Sequence, residues 1–332
     1  MTGRHLPLRM ALIVVLALCA AAWFFLVPER RQPVAAQAET LGEPNAAPLP
    51  TAETAAATAP LPASDAPLPL VFPSLKARAD AGDRKAACRL GIELLRCQTL
   101  ASHGSLTASL LHWREIEATK RGDLARADEM ARASLHYLAV EESCAGLPPD
   151  AFELGARYLR QAALAGEPEA MLRYAAGQGF DSGRRMAYLR SPDFENWRRE
   201  APGMVEHALA EGRPEAAHLL WLAYADGQSM LSGLIPDDPM RAKAHRLLME
   251  RLWNPADPPT AVLLGAAPLS RSEELKAASL ASDWHQRHFK GDRVDAEHAL
   301  DGIAPFHDIH ETGGKIRTDL VFCGDGAGTP HG

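Results

Sequence analysis

Histidine and carboxylate side chains cluster near the C-terminus, where the sequence has its clearest capacity for metal chemistry. The cluster consists of His307, Asp308, His310 and Glu311, and His285 and His288 lie upstream of it. A zinc site needs three or four such groups converging on one ion. His307 and His310 would share a face only in a helix, whereas the following Gly313 and Gly314 favour a loop. We therefore expect a solvated polar segment, and a metal-dependent hydrolase that uses these histidines stays the alternative.

A glycine-rich stretch near the C-terminus superficially resembles a phosphate-binding loop. Gly324, Gly326 and Gly328 alternate with other residues, but no lysine follows them. A phosphate-binding loop needs that lysine and a helix that begins directly after the glycines. The sequence also lacks Gly-x-Ser-x-Gly and His-Glu-x-x-His. It therefore predicts no catalytic residue, no metal site and no cofactor.

Composition favours an all-helical protein that does not bind nucleic acid. The chain has 332 residues, 47% of them hydrophobic, so a packed core is expected over much of its length. β-Branched residues are sparse beyond the N-terminal segment, which leaves little material for strands. The formal net charge is -7, with both signs mixed along the chain. A nucleic-acid partner would call for a basic patch instead.

The N-terminal segment predicts the compartment. Residues 10–27 form an uninterrupted apolar run, long enough to cross a bilayer and longer than the apolar region of an ordinary signal peptide. Ala20 and Ala22 offer a cleavage site, but cleavage there would leave an apolar N-terminus. We expect an uncleaved transmembrane anchor at 10–27, a short cytoplasmic arm at 1–9, and the rest of the chain in a bacterial periplasm.

Three further segments follow the anchor. Residues 28–73 are rich in alanine, proline and threonine and are predicted to be a disordered linker. Residues 74–290 carry the helical pattern, with two short helices within 74–98, separated at Gly82, and another over 105–118. Residues 291–332 are predicted to be irregular.

Four cysteines lie beyond the predicted anchor, and an even number suits disulfides in an oxidising compartment. Cys88 and Cys97 are expected to share one helix, where about 13 Å would separate them, too far for a bond. Each then needs a distant partner. The candidate bonds are Cys97 with Cys144 and Cys88 with Cys323, one of the three pairings that four cysteines allow. Four buried free cysteines are the other alternative.

A spacing of glycine, alanine and a large apolar residue, four residues apart, recurs along the helical region. The triplets are Gly82, Ala86 and Leu90, then Gly166, Ala170 and Tyr174, then Gly212, Ala216 and Leu220. Glycine can end one helix in the left-handed conformation, and alanine then lets two helices approach closely. The glycines are 84 and 46 residues apart, as expected for a helical repeat with one copy missing. Gly122 lies in the long interval but is not counted, because Arg126 occupies the alanine position.

Two stretches go beyond this spacing. Residues 156–166, followed by Glu169 and Ala170, resemble a junction between Sel1-like repeats, and residues 208–216 with Leu220 and Tyr224 resemble a nearly complete unit. Trp221 departs from the family's usual glycine, and His245 replaces its tryptophan. The resemblance implies an α-solenoid of antiparallel helix pairs, related to tetratricopeptide arrays, without shared catalytic residues.

These features together predict a scaffold. We expect a membrane-anchored periplasmic protein whose helical repeats bind another protein in a cell-envelope complex, with the membrane contacted through residues 10–27. An arginine-rich run also lies between Arg157 and Arg199. If some of these arginines share one face, they would suit an acidic partner or an anionic cell-wall polymer.

Overall fold

The structure is a computed structural model. It describes residues 60–180, 189–225, 229–253, 268–304, 311–312, 315–316 and 322–323. The predicted anchor at 10–27, the arm at 1–9 and most of the linker lie outside this range. No helix in the described part of the chain combines the length and apolar character that a membrane crossing requires.

Helices make up nearly all of the described chain, so the all-α prediction is confirmed there. The α-helices are α1 (Leu68–Asp80), α2 (Arg84–Lys120), α3 (Leu124–Cys144), α4 (Gly155–Leu164), α5 (Pro168–Ala175), α6 (Pro192–Ala210), α7 (Pro214–Tyr224), α8 (Pro239–Leu252) and α9 (Arg271–Phe289). Short 3-10 helices cover Pro149–Leu154, Met230–Gly233 and Asp301–Ile303. The one departure is a minimal antiparallel hairpin of β1 (Glu311–Thr312) and β2 (Lys315–Ile316), in which Glu311 pairs with Ile316.

Neighbouring helices in the chain are also neighbours in space. α1 packs on α2, α2 on both α3 and α4, and from α4 to α9 each helix packs on the next. A main core runs through all of these helices except the outer part of α2 and α3. There the two helices form a hairpin with its own small core, built from Leu100, Leu111, Met130, Ala133, Tyr137 and Val140. We call this hairpin, residues 100–140, the arm.

One turn geometry recurs between helices. Gly82, Gly122, Gly166 and Gly212 all have positive φ, between 75° and 92°. At each, the glycine N–H donates to the carbonyl three residues back, and the next N–H donates to the carbonyl five residues before it. This is a Schellman turn, which satisfies carbonyls that the helix end leaves open. The four glycines are 40, 44 and 46 residues apart, so Gly122, which the sequence analysis did not count, has the same turn as the three glycines that it did count.

The residues that follow these glycines fill the core as the spacing predicts. Ala86, Ala170 and Ala216 are fully buried. Among the larger apolar residues, Leu90 is fully buried, and Tyr174, Leu220 and Tyr224 are nearly so. The turn at Gly122 tolerates Arg126 because this side chain lies at the half-buried edge of the arm and pairs with Glu129 at 2.7 Å. Met130 then fills the apolar position and is fully buried.

The first helix begins inside the range predicted to be linker. α1 starts at Leu68, and the Arg78 guanidinium donates to the carbonyl of Pro60 at 3.0 Å. The boundary 28–73 is therefore wrong at its C-terminal end. Proline in this stretch suggested extended chain, but Pro69 lies in the first helical turn, where its missing N–H costs no hydrogen bond.

The second difference is the length of α2. It continues through Gly104, where the sequence analysis placed a break before a helix over 105–118. A glycine weakens a helix by only about 1 kcal/mol. Packing along α3 offsets this cost: a Cβ added at Gly104 would lie 3.7 Å from the hydroxyl of Tyr137. A helix of 37 residues results.

We expect the turn positions to require glycine because of their positive φ. At Gly166 this requirement can be measured without a steric clash. A Cβ added there meets nothing within 4 Å, so Gly166→Ala introduces only the strain of φ +78°. We expect the free energy of unfolding to fall by about 1–2 kcal/mol. Gly203 is the matched control, because it also faces open space but lies inside α6, where alanine should stabilise by up to about 1 kcal/mol. Urea unfolding measures both, and equal effects would contradict the turn assignment.

Candidate functional site

A glutamate occurs at the same position after two of the turn glycines, and the sequence analysis did not consider its role. Gly166 and Gly212 are each followed by x-Pro-Glu-Ala, which places Glu169 and Glu215 in the first turns of α5 and α7. Their side chains are only 3% and 2% exposed. A buried carboxylate needs hydrogen-bond donors, because water cannot solvate it. Both glutamates find donors in the C-terminal part of the chain.

We call this part, the described residues 299–304 and 322–323, the strap. The main chain of Gly302 donates its N–H to Glu215 Oε1 at 3.0 Å. Arg213 donates to the same oxygen at 2.8 Å. A Cβ added at Gly302 would lie 2.4 Å from Glu215 Oε1, so this position accepts only glycine without rearrangement.

Glu169 and Arg173 bind the other described piece of the strap. The N–H of Cys323 donates to Glu169 Oε2 at 2.6 Å, and Arg173 Nε donates to Glu169 Oε1 at 2.9 Å. Arg173 is 0% exposed, and its other nitrogens donate to the carbonyls of Ala304 at 2.7 Å and Asp301 at 3.1 Å. Side chains of α5 and α7 therefore bind both N–H groups and carbonyl groups of the strap main chain.

The end of the strap is fixed by an aromatic ring and a disulfide. The Phe322 ring contacts two guanidinium groups, with its centroid 5.5 Å from Arg96 and 5.0 Å from Arg173. Cation–π contacts of this kind gain strength when water is excluded. Cys323 is bonded to Cys88 of α2, across a sequence separation of 235 residues. The segment predicted to be irregular is thus part of the core at these positions.

A second disulfide joins Cys97 of α2 to Cys144 at the end of α3. Its Cα–Cα distance is 5.7 Å, and that of Cys88–Cys323 is 6.0 Å. These are the two pairings that the sequence analysis named. Cys88 and Cys97 share α2, as expected, so each reaches a different element.

Charge around the strap is concentrated and desolvated. Burial raises the pKa of Glu167, and the nearby Arg84 and Lys85 offset only part of that effect. Burial acts to lower the pKa of Arg213, but the carboxylates of Glu215, Glu169 and Glu167 outweigh it and raise that pKa overall. Arg213 therefore stays charged, and the acids around it hold it in place.

The same region contains three groups of the kind that bind metals. The sulfurs of Cys88 and Cys323 and a carboxylate oxygen of Glu169 all lie within 4.8 Å of one another. A thiol binds metal as the free thiolate. Because the two sulfurs are bonded to each other here, the arrangement serves as a covalent tie between α2 and the strap.

The described part of the chain contains only some of the residues of the predicted histidine cluster. His307, Asp308 and His310 lie outside the described residues. His285 is buried in α9, and its Nε2 lies 3.0 Å from the carbonyl of Asp292. The metal-dependent hydrolase therefore stays an untested prediction.

Two arginines of the arginine-rich run have structural partners in the described part of the chain. Arg173 is buried under the strap, and Arg160 makes a two-pronged bond to Glu200 of α6, at 2.9 and 2.5 Å. Tyr174 donates to the same carboxylate at 2.7 Å. Arg160 thus connects α4 to α6 and Arg173 connects α5 to the strap, so these two arginines do not contribute to the anion-binding face considered from the sequence.

His245 is a titratable side chain in the core. It is buried between the rings of Tyr224 and Trp284, with centroids 5.7 and 4.4 Å away, stacked nearly parallel to both. Burial, with help from the charge of Arg241, lowers its pKa to about 3. The ring is thus a neutral aromatic side chain that packs between two other rings in the core.

Comparison with known proteins gives no identification. No family model matches the chain, and searches of curated proteins and of solved structures found no significant match. The Sel1-like resemblance consequently stays a prediction that rests on the residues quoted above.

The Glu169–Arg173 pair should be strongly coupled. Replacing Arg173 with methionine leaves the Glu169 carboxylate buried without its counter-charge, and we expect the free energy of unfolding to fall by about 3–5 kcal/mol. The double variant Glu169→Gln/Arg173→Met removes that charge and should lose less than half as much. Arg198→Met, in the exposed pair with Glu195, is the control and should cost less than about 1 kcal/mol. Urea unfolding with disulfides intact measures all three; additive losses in the double variant would contradict the coupling.

The neutral His245 predicts a specific loss of stability in acid. The folded pKa is about 3 and the ordinary value is 6.5, so below pH 6.5 only the unfolded chain takes up this proton. Stability is therefore lost progressively as the pH falls from 6.5 towards 3. Between pH 7 and pH 5 the natural chain should lose about 2 kcal/mol more than His245→Phe. Unfolding free energies of both proteins across this range measure it, and parallel pH curves would contradict it.

Proposed function

We propose that this chain is a helical-repeat scaffold, an α-solenoid of antiparallel helix pairs in the manner of Sel1-like repeats, that binds a protein partner in the bacterial cell envelope. The observation that carries the proposal is a repeated junction between helices. At Gly82, Gly122, Gly166 and Gly212 the same turn ends one helix and the next helix begins two residues later, at intervals of 40 to 46 residues. Sequential packing of short helices supports it, because repeat proteins build their core from neighbouring units.

We also propose that residues 10–27 anchor the chain in the inner membrane and that the helices lie in the periplasm. The apolar run supports the anchor, and the two disulfides support an oxidising compartment. The linker would then hold the helical domain away from the bilayer.

The arm is where we expect the partner to bind. Leu106, Leu110 and Trp113 occupy one stripe of α2 at intervals of four and three residues, and Leu106 and Trp113 are 70% and 59% exposed. The core of the arm lies on the other side of this helix, so folding does not need these side chains outside. Exposed apolar patches of this kind mark interaction sites. The helical spacing of the stripe suits an amphipathic helix of the partner.

Crosslinking and affinity capture from the native membranes test this proposal. The double variant Leu110→Glu/Trp113→Glu places two charges in the stripe, and we expect recovery of a reproducible partner to fall at least tenfold. Leu275→Glu is the matched control, because Leu275 is 65% exposed but lies on α9. If capture is equally strong from both variants, the arm is not the binding site. If the natural chain captures no reproducible partner, the scaffold proposal itself is wrong.

A further inference from the structure

We propose that the arm binds the arm of a second copy of this chain, with α2 of one copy packed on α3 of the other. The inference rests on the proposed function, in which the exposed stripe of α2 binds an amphipathic helix, and it identifies that helix as α3 of the second copy. A second exposed stripe, on α3, carries the inference. Leu124, Leu135 and Leu138 of this stripe are 68%, 66% and 51% exposed.

Both stripes have the spacing of a coiled-coil seam. The α2 stripe has intervals of four and three residues, and the α3 stripe alternates the same two intervals. Its positions are Leu124, Asp128, Ala131, Leu135 and Leu138. Helices whose apolar residues repeat in this way pack side by side, with side chains of one helix inserted between those of the other. Neither stripe belongs to the arm's own core, so both are available for such packing.

An antiparallel arrangement pairs the leucines of the two stripes. When Leu110 lies level with Leu135 of the second copy, the shared spacing places Leu106 level with Leu138 of that copy. In a symmetric dimer the same pairs form twice, because both subunits use the same surface. The four helices of the two arms then make a bundle, in which each helix packs on one helix of its own arm and on one helix of the other arm.

The same register matches the largest side chain of the two stripes with the smallest. Trp113 lies level with Ala131 of the second copy. Facing positions that combine a large and a small side chain interdigitate without a void or a clash. Trp113 is 59% exposed in the single chain, so this contact would remove much of its ring from water. The pair therefore provides a specific test of the register.

Charges near the tip of the arm end the apolar part of the contact. In this register Glu117 comes level with Asp128 of the second copy. Each carboxylate has a counter-charge on its own helix, because Lys120 pairs with Glu117 at 3.0 Å and Arg132 pairs with Asp128. Repulsion between such exposed and locally neutralised groups is weak. The like charges therefore do not prevent the pairing of the apolar positions.

The exposed apolar surface of the arm is large enough for a stable dimer. Most of the large hydrophobic residues that are exposed in the described part of the chain lie on the arm. They are Leu106, Leu110, Trp113, Ile116, Leu124, Leu135 and Leu138. At roughly 100 Å² for each side chain, this surface amounts to about 700 Å² per copy, close to the ~800 Å² per partner of a typical stable interface.

Mixed cysteine variants test the register in the full chain, kept in detergent micelles. Leu110→Cys and Leu135→Cys are made separately in a Cys19→Ser background, mixed, and treated with a short bismaleimide. We expect at least tenfold more covalent dimer from the mixture than from either variant alone, because position 110 of one copy meets position 135 of the other. Leu275→Cys mixed with Leu135→Cys is the matched control, since Leu275 is 65% exposed but lies on α9. Equal amounts of dimer in all samples, or dimer in none, would overturn the proposal.

Exchanging the sizes of one pair separates packing from misfolding. Ala131→Trp places a second indole against Trp113 and should raise the dissociation constant of the dimer at least tenfold in sedimentation equilibrium. The double variant Trp113→Ala/Ala131→Trp restores one large and one small side chain, and we expect its dissociation constant to return to within threefold of the natural value. A natural chain that is monomeric up to about 100 μM, or a double variant as weak as Ala131→Trp, would contradict self-association.

Partner capture distinguishes this inference from the proposed function. If the natural chain is monomeric but Leu110→Glu/Trp113→Glu still lowers recovery of another envelope protein, the arm binds that protein and only the inference fails. If the chain dimerises in the stated register but recovers no other protein, the inference stands and the scaffold proposal fails.

Discussion

The structure depends on the buried pairing of Glu169 with Arg173. An arginine without any solvent exposure is tolerated only when its charge and its donors are all met. The carboxylate of Glu169 meets the charge, and the strap carbonyls, together with the side-chain oxygen of Gln178, accept from the other two nitrogens. The interior of the helical domain therefore contains a charged side chain whose hydrogen bonds depend on residues far along the chain. This explains why a segment with little regular structure is nonetheless buried.

Local features of the fold could be predicted from the sequence because they depend on neighbours in the chain. The left-handed turns at Gly82, Gly166 and Gly212 and the alanines that follow them belong to this class, since each depends on four or five consecutive residues. Gly122 was missed because Arg126 looked incompatible with a buried alanine position. The sequence did not show that α2 and α3 leave the main core there, which lets a long side chain reach the surface.

The strap could not be predicted, because its partners are separated by long stretches of chain. Glu215 and Gly302 are 87 residues apart, and Glu169 and Cys323 are 154 residues apart. One signal was present: x-Pro-Glu-Ala follows two of the turn glycines, so each glutamate directly precedes an alanine predicted to face the core. A charged residue in that position indicates a buried polar contact, although its partner cannot be read from the pattern. The disulfides were only partly predictable: placing Cys88 and Cys97 on one helix excluded their mutual bond and left two pairings, of which the structure has the one that was named.

The length of α2 has a mechanical consequence. The helix is one continuous rod from Cys88, tied to the strap, to Lys120 at the tip of the arm, a distance of about 48 Å at 1.5 Å per residue. The Cys97–Cys144 bond fixes the helix between these two points, and residues 84–97 pack within the main core. Bending of the arm is therefore confined to the part of α2 beyond Cys97, about 35 Å long at 1.5 Å per residue.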